Sequence, residues 1–356
     1  MPTFGKRKSE LSAHILRKYL FRCDGNAATG LGHVSRGIAL AEALVDTGAE
    51  CCFAGNFAEP AAALLRGAGL HFLPTASMKE DSEPAETLSL MEEAVANAVV
   101  IDSYTISPEH IAEVQRRTSA AVVIDDFAFA PELSCAALVN FTVNAPRLPY
   151  AAPGVHYLLG PRYLLVRRRL RHLRRRALRE VRAVRRVLLV IGGTDRHQLV
   201  GRTLAALAAV APSAAIRLAA VPAEMAGLLT GFGAGSGVVP MGADLADEFA
   251  MADVCISGGG LTKYESAYVG VPVAVVSQTP EQAAETRYFA EHRLAFDLGL
   301  GCSLPQQELS DSLAAFFQDT DRRQSQVEAG FSVFPDDPTR HTAEALTSCL
   351  FNGDSL

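Results

Sequence analysis

The run Ser257-Gly258-Gly259-Gly260-Leu261-Thr262-Lys263-Tyr264-Glu265 carries the clearest chemical message in the chain. The apolar stretch before it, 252–256, reads as a buried strand, and the residues after it read as a helix running towards Val269 and Gly270. Three glycines in a row at a strand-to-helix turn let backbone N–H groups approach a ligand, and the start of a helix carries partial positive charge. A diphosphate suits that combination. Glu265, a few residues into the helix, could accept hydrogen bonds from the paired hydroxyls of a ribose. The same segment also fits a Gly-rich turn closing an ordinary α/β unit. Neither Gly-Lys-Ser/Thr nor Gly-x-Gly-x-x-Gly occurs here, which argues against ATP or NAD at this loop.

A second set lies near the start of the chain. Thr29-Gly30-Leu31-Gly32-His33-Val34-Ser35-Arg36 falls at the first expected strand-to-helix turn. Gly30 and Gly32 permit a tight turn and close ligand approach. His33 stands at or near the helix start, where imidazolium is disfavoured, so it is a candidate general base; a histidine at a helix start can equally be structural. Asp102-Ser103-Tyr104 ends another expected strand, and Tyr104 could donate to a phosphate or a sugar hydroxyl. Asp125-Asp126 ends the next. Such a pair can bind a metal or fix a loop, and no His or third carboxylate arrives at ligand spacing, so no metal is expected. Gly192-Gly193-Thr194 offers further backbone donors, and Gln282, at a helix start, could reach a phosphate or a sugar. Gly-x-Ser-x-Gly and a coherent Ser/His/Asp set are absent.

These motifs need elements to hold them. Strands are expected at 19–23, 50–54, 71–73, 99–102, 121–125 and 138–141, with helices at 33–47, 60–67, 86–96 and 108–117. A second alternating set follows, with strands at 187–191, 215–221, 238–239, 252–256 and 271–277, and three helical stretches close the chain. Continuous Val/Ile/Leu strands alternating with helices imply parallel sheets covered on both faces, where ligands bind beyond the carboxyl ends of the strands. Between the sets, 162–186 holds twelve arginines and few acids. That run fits either an anion- or membrane-surface helix or a solvated connection with Leu170, Leu173 and Leu178 packed on one side; the connection is the reading adopted.

At 356 residues the chain has room for two domains, and a net charge of −6 supplies no global field for nucleic acid. Seven cysteines without a Cys-x-x-Cys pair look like small core residues of a reducing compartment. Met1 to Lys8 is basic but no apolar h-region follows, and no apolar stretch approaches 18 residues, so neither a signal peptide nor a membrane span is expected, and the expected location is cytoplasmic.

Taken in order, Gly30–Arg36, Asp102-Ser103-Tyr104, Ile124-Asp125-Asp126, Leu159-Gly160-Pro161-Arg162-Tyr163, Gly192–Asp195, Ile256–Gly260, Thr262, Glu265, Gly270-Val271-Pro272 and Gln282 resemble the PseG family. Its members are hydrolases releasing UDP from a UDP-linked diacetamido-trideoxy sugar. SpsG-like proteins of spore-coat polysaccharide synthesis look similar, and the C-terminal half also resembles MurG-type glycosyltransferases. The resemblance implies a GT-B architecture: a Rossmann-like domain at 1–165, an Arg-rich linker at 166–186 and a nucleotide-binding Rossmann-like domain at 187–356. It implies His33 and Tyr104 as catalytic residues and no cofactor beyond the UDP of the substrate. Binding would involve Gly30, Gly32, Arg36, Asp102, Gly193, Thr194, Met241, Ser257, Gly258, Gly259, Gly260, Leu261, Thr262, Glu265 and Gln282, with 239–242 facing the uracil. The chain departs from the family at Ser103, where His is usual, at Glu281-Gln282, where Asn-Gln is usual, and after Tyr163, where the arginines replace Leu-Arg-Pro-Glu-Phe.

The expected activity is hydrolysis of a UDP-sugar by water activated at His33. A glycosyltransferase using an acceptor hydroxyl or amine, and a non-catalytic nucleotide-sugar-binding protein, are the rival readings. An NAD oxidoreductase fits poorly, because the strand at 50–54 does not end in an acidic residue.

Overall fold

The computed structural model describes residues 17–174, 183–192, 195 and 197–352. Gly193 and Thr194 lie outside the described residues, as does Leu178. The N-terminal lobe is a seven-stranded parallel sheet of β1 (Lys18–Cys23), β2 (Glu50–Gly55), β3 (His71–Pro74), β4 (Ala98–Asp102), β5 (Ala121–Ile124), β6 (Ala137–Asn140) and β7 (His156–Leu159), in the order β3-β2-β1-β4-β5-β6-β7. Its helices are α1 (Gly32–Asp46), α2 (Glu59–Gly67), α3 (Pro84–Glu93) and α4 (Pro108–Thr118). β4 is buried along its whole length, as a strand covered on both faces must be, and this explains its unbroken Ala-Val-Val-Ile run.

α5 (Arg168–Arg174) leads to the second lobe. There β8 (Arg186–Val190), α6 (Leu199–Val210), β9 (Ala215–Ala219), β10 (Gly237–Val239), α7 (Ala246–Met251), β11 (Val254–Gly258), α8 (Leu261–Val269), β12 (Val273–Ser277), α9 (Pro280–Glu291) and β13 (Phe296–Leu300) follow. The six strands form a second parallel sheet in the order β10-β9-β8-β11-β12-β13. Helices α10 (Gln306–Gln318), α11 (Thr320–Val333) and α12 (Pro338–Thr347) complete it, and α12 returns to pack on α1 of the first lobe.

Strand order reverses between β1 and β4 in one sheet and between β8 and β11 in the other. At such points neighbouring loops diverge and leave a crevice. The first holds the loop after β1 and Asp102 at the end of β4; the second holds Gly192 after β8 and Gly258 at the end of β11. Both glycine motifs thus sit where the two sheets open.

The structure departs from the sequence expectations at several places. β7 and β13 were not foreseen, and β11 runs on through Ser257 and Gly258 rather than stopping at Ile256. Where the sequence between β9 and β10 suggests a helix ending at Leu229, the structure has a 3₁₀ segment, Ala223–Leu229, following Pro222. Within the arginine-rich run, Arg171 and Arg174 are not solvated but buried. Arg171 Nη1 donates to Asp337 at 2.9 Å, and Arg174 donates to the carbonyls of Tyr268 and Phe334, each at 2.5 Å. Three cysteines are fully buried, whereas Cys302 is exposed.

Candidate active site in the interlobe cleft

Gly30, at φ +70°, turns the chain into α1, whose start has no side-chain cap. His33 is therefore held in the first turn of a helix whose leading N–H groups are open to a ligand. Its ring is buried, and Nδ1 lies 2.6 Å from Asp102 Oδ1. Arg36, one turn on, donates from Nε to Asp102 Oδ2 and from Nη2 to Oδ1, both at 2.6 Å. Its Nη1 reaches Asp126 at 2.7 and 2.8 Å. The Tyr104 hydroxyl donates to the same Asp126, and the Tyr104 ring meets the His33 ring edge-on at 4.7 Å. Tyr104 as a whole is 55% exposed.

Burial would raise the Asp102 carboxyl, but the Arg36 guanidinium and His33 outweigh it and hold this group well below the usual carboxylate range. Burial and the neighbouring Asp126 carboxylate push the Tyr104 phenol well up, so it remains a donor. An ionised Asp102 accepts from Nδ1–H, which assigns the proton to Nδ1 and leaves the Nε2 lone pair for an incoming proton.

In the second lobe each glycine has its own reason. A Cβ on Gly258 would fall 2.1 Å from the Ile191 carbonyl oxygen, and one on Gly259 would fall 2.6 Å from Gln282 Cβ. Gly260 meets nothing within 4 Å. It caps α8 without a side chain, so the helix start is again open. Glu265 is buried, and burial pushes its carboxyl up to about 7, with Arg167 pulling down and Asp244 pushing up.

One cavity of about 250 Å³ lies between the lobes. It brings together Gly30, Leu31 and Gly32 with Ser257, Gly258, Gly260, Leu261, Thr262, Glu265 and Gln282. Pro240 and Gly242 also face it, whereas Met241 and Gly259 do not line it. His33, Arg36, Asp102 and Tyr104 form one contiguous cluster next in the chain to the Gly30–Gly32 turn and do not themselves line that cavity. Arg167 and Asp244, 3.3 Å apart, line it beside Glu265 and were not singled out from sequence, because Arg167 was grouped with the connecting arginines. Asp126 was weighed there as half of a metal pair; its carboxylate goes to Arg36 and Tyr104, while Asp125 accepts from the Tyr150 hydroxyl and the Phe127 amide. Among the described residues no group of three His, Cys, Asp or Glu side chains is placed to hold a metal ion. No helix among them is long and apolar enough to cross a membrane.

Two parallel-sheet Rossmann-like lobes with facing switch points and a returning C-terminal helix define the GT-B fold. Solved structures agree. The chain superposes on MurG of Acinetobacter baumannii with a TM-score of 0.63 at 16% identity, covering 93% of this chain and 99% of that one. It superposes on spinosyn rhamnosyltransferase SpnG complexed with thymidine diphosphate with a TM-score of 0.65 at 18% identity, covering 94% and 99%. In sequence it is similar to the spore coat polysaccharide biosynthesis protein SpsG of Bacillus subtilis, 41% identical over 66 residues. That match spans 18% of this chain and a fifth of the relative's length, 20%. No protein-family profile matches the chain.

Proposed function

We propose that the protein is an enzyme acting on a nucleoside-diphosphate sugar, and that it hydrolyses the glycosyl–phosphate bond of a UDP-linked acetamido or deoxy sugar. The observation that carries the reading is the His33–Asp102 pair at 2.6 Å, adjoining the Gly30–Gly32 turn that lines one cavity together with an uncapped glycine-rich helix start. The diphosphate lies against the open N–H groups of Leu261 and Thr262, with Arg167, the one Arg or Lys among the described residues that line the cavity, as counter-charge. Glu265 accepts from the ribose hydroxyls, and the segment around Pro240 and Gly242 faces the base. Water loses a proton to His33 Nε2 and attacks the anomeric carbon from the face opposite the diphosphate. The carbon–oxygen bond to phosphate breaks, UDP leaves with the bonding pair, and the sugar is released with inversion. Tyr104 and Arg36 hold the Asp126 side of the cluster while the imidazolium forms.

A transferase reading, in which an acceptor hydroxyl or amine replaces water, is favoured by the superposition on MurG and SpnG. Incubation with UDP- and dTDP-linked amino and deoxy sugars, without acceptor and followed by NMR, separates the two. Rapid release of free sugar with inverted anomeric configuration is expected. Nucleotide release that becomes fast only on adding an acceptor would establish the transferase instead.

A further inference from the structure

Behind the glycine loop is a buried charged network that the proposed chemistry does not use. Lys263, in the first turn of α8, is 2% exposed, and its Nζ donates to the Gly259 carbonyl oxygen at 2.5 Å. The same Nζ is ion-paired with Glu285 of α9, itself 4% exposed. The other Glu285 oxygen accepts from the Tyr264 hydroxyl. That hydroxyl in turn accepts from the backbone N–H of Val143, in the first lobe, at 3.3 Å. The Tyr264 ring meets Phe141 edge-on at 5.4 Å, and Phe141 lies under the Arg36 guanidinium at 5.8 Å. A chain of contacts therefore runs from the loop that faces the cavity to the cluster holding His33.

A buried ion pair is a costly way to fill space, and apolar residues of the same volume would serve packing alone as well or better. What this pair fixes is an orientation. Drawing the Gly259 carbonyl towards Lys263 turns that peptide's oxygen away from the cavity, so the loop presents donors rather than an acceptor to an anion. We propose that Lys263 and Glu285 are positioning residues for the diphosphate loop, and that Tyr264 couples that loop to the N-terminal lobe. The inference rests on the reading of the loop as a diphosphate cradle.

The test is binding of UDP by calorimetry and of uridine by ligand-observed NMR. Lys263→Met/Glu285→Gln removes both charges together, so neither is left buried alone. It is expected to weaken UDP by about tenfold or more, the scale of a lost charge-assisted contact, while uridine stays within about threefold. Unchanged UDP affinity, or an equal fall for uridine, would overturn the proposal. Tyr264→Phe keeps the ring and deletes one hydroxyl, and it decides the matter if the double variant does not fold. In the wild type, UDP is expected to slow amide exchange at 140–144 in the first lobe; in Tyr264→Phe that slowing is expected to vanish with UDP still bound. Its persistence would overturn the coupling. Wild-type protein that binds neither ligand would overturn the nucleotide reading and this inference with it.

Discussion

The two lobes build one feature twice, a strand leading through glycine to a helix with no side-chain cap, and they furnish it differently. Around the start of α1 stand His33, Asp102, Arg36, Asp126 and Tyr104, linked in that order by hydrogen bonds. Around the start of α8 the cavity meets backbone, with Glu265 further along the helix. The proposed function accounts for the contrast. Backbone donors cannot change protonation, so they suit a constant charge such as a diphosphate. Moving a proton needs a side chain with two states and neighbours that stabilise each in turn.

The sharpest way to break the comparison is to remove the imidazole. His33→Ala is expected to lower turnover by about 10²–10⁴-fold, the usual worth of a general base, with UDP affinity by calorimetry within about threefold. Loss of UDP binding would make the first lobe a gripping site as well. Next in size is Gly258→Ala, whose methyl is driven against the Ile191 carbonyl at 2.1 Å. With no flexible side chain there to yield, a loss of about 3 kcal/mol or more is expected in urea unfolding.

Glu265 gives a pH test. Its carboxyl titrates near 7 in the fold, against an ordinary 4.5. Between those values the native state keeps a proton that the unfolded chain has lost, so stability contributed at this position falls as pH rises from about 4.5 to 7 and stays low above. The whole effect is about 3 kcal/mol, and Glu265→Gln should flatten that part of the melting profile. Ribose hydroxyls donate to the ionised form, so UDP affinity should weaken about tenfold per pH unit below 7 in the wild type and not in the variant. The smallest effect is expected at Gly260, where a methyl meets open space: Gly260→Ala should leave stability within about 0.5 kcal/mol, measured beside Gly258→Ala.

The sheets and glycine turns were legible because their signals are local. A buried parallel strand such as β4 spells itself in consecutive apolar residues, and the turn before α1 in Gly30 and Gly32. β7 and β13 escaped because polar residues and glycine break up their apolar runs. His156 and Tyr157 in one, and Asp297 and Gly299 in the other, interrupt the apolar pattern. The charged cluster could be named but not assembled, since Arg36 meets partners 66 and 90 positions away. The burial of Arg171 and Arg174 was hidden for the same reason: their acceptors, Asp337 and the Tyr268 and Phe334 carbonyls, are supplied by distant segments.

The return of α12 has a mechanical consequence. Val166 N–H donates to Thr339 Oγ1 at 2.8 Å, close to where the chain first leaves the N-terminal lobe. The backbone thus crosses between the halves twice, side by side, and the pair of crossings acts as a single hinge pin. Two links lying side by side constrain a swivel of one half against the other more than a single link could, and they stand on the same joint whose cavity both open helix starts line.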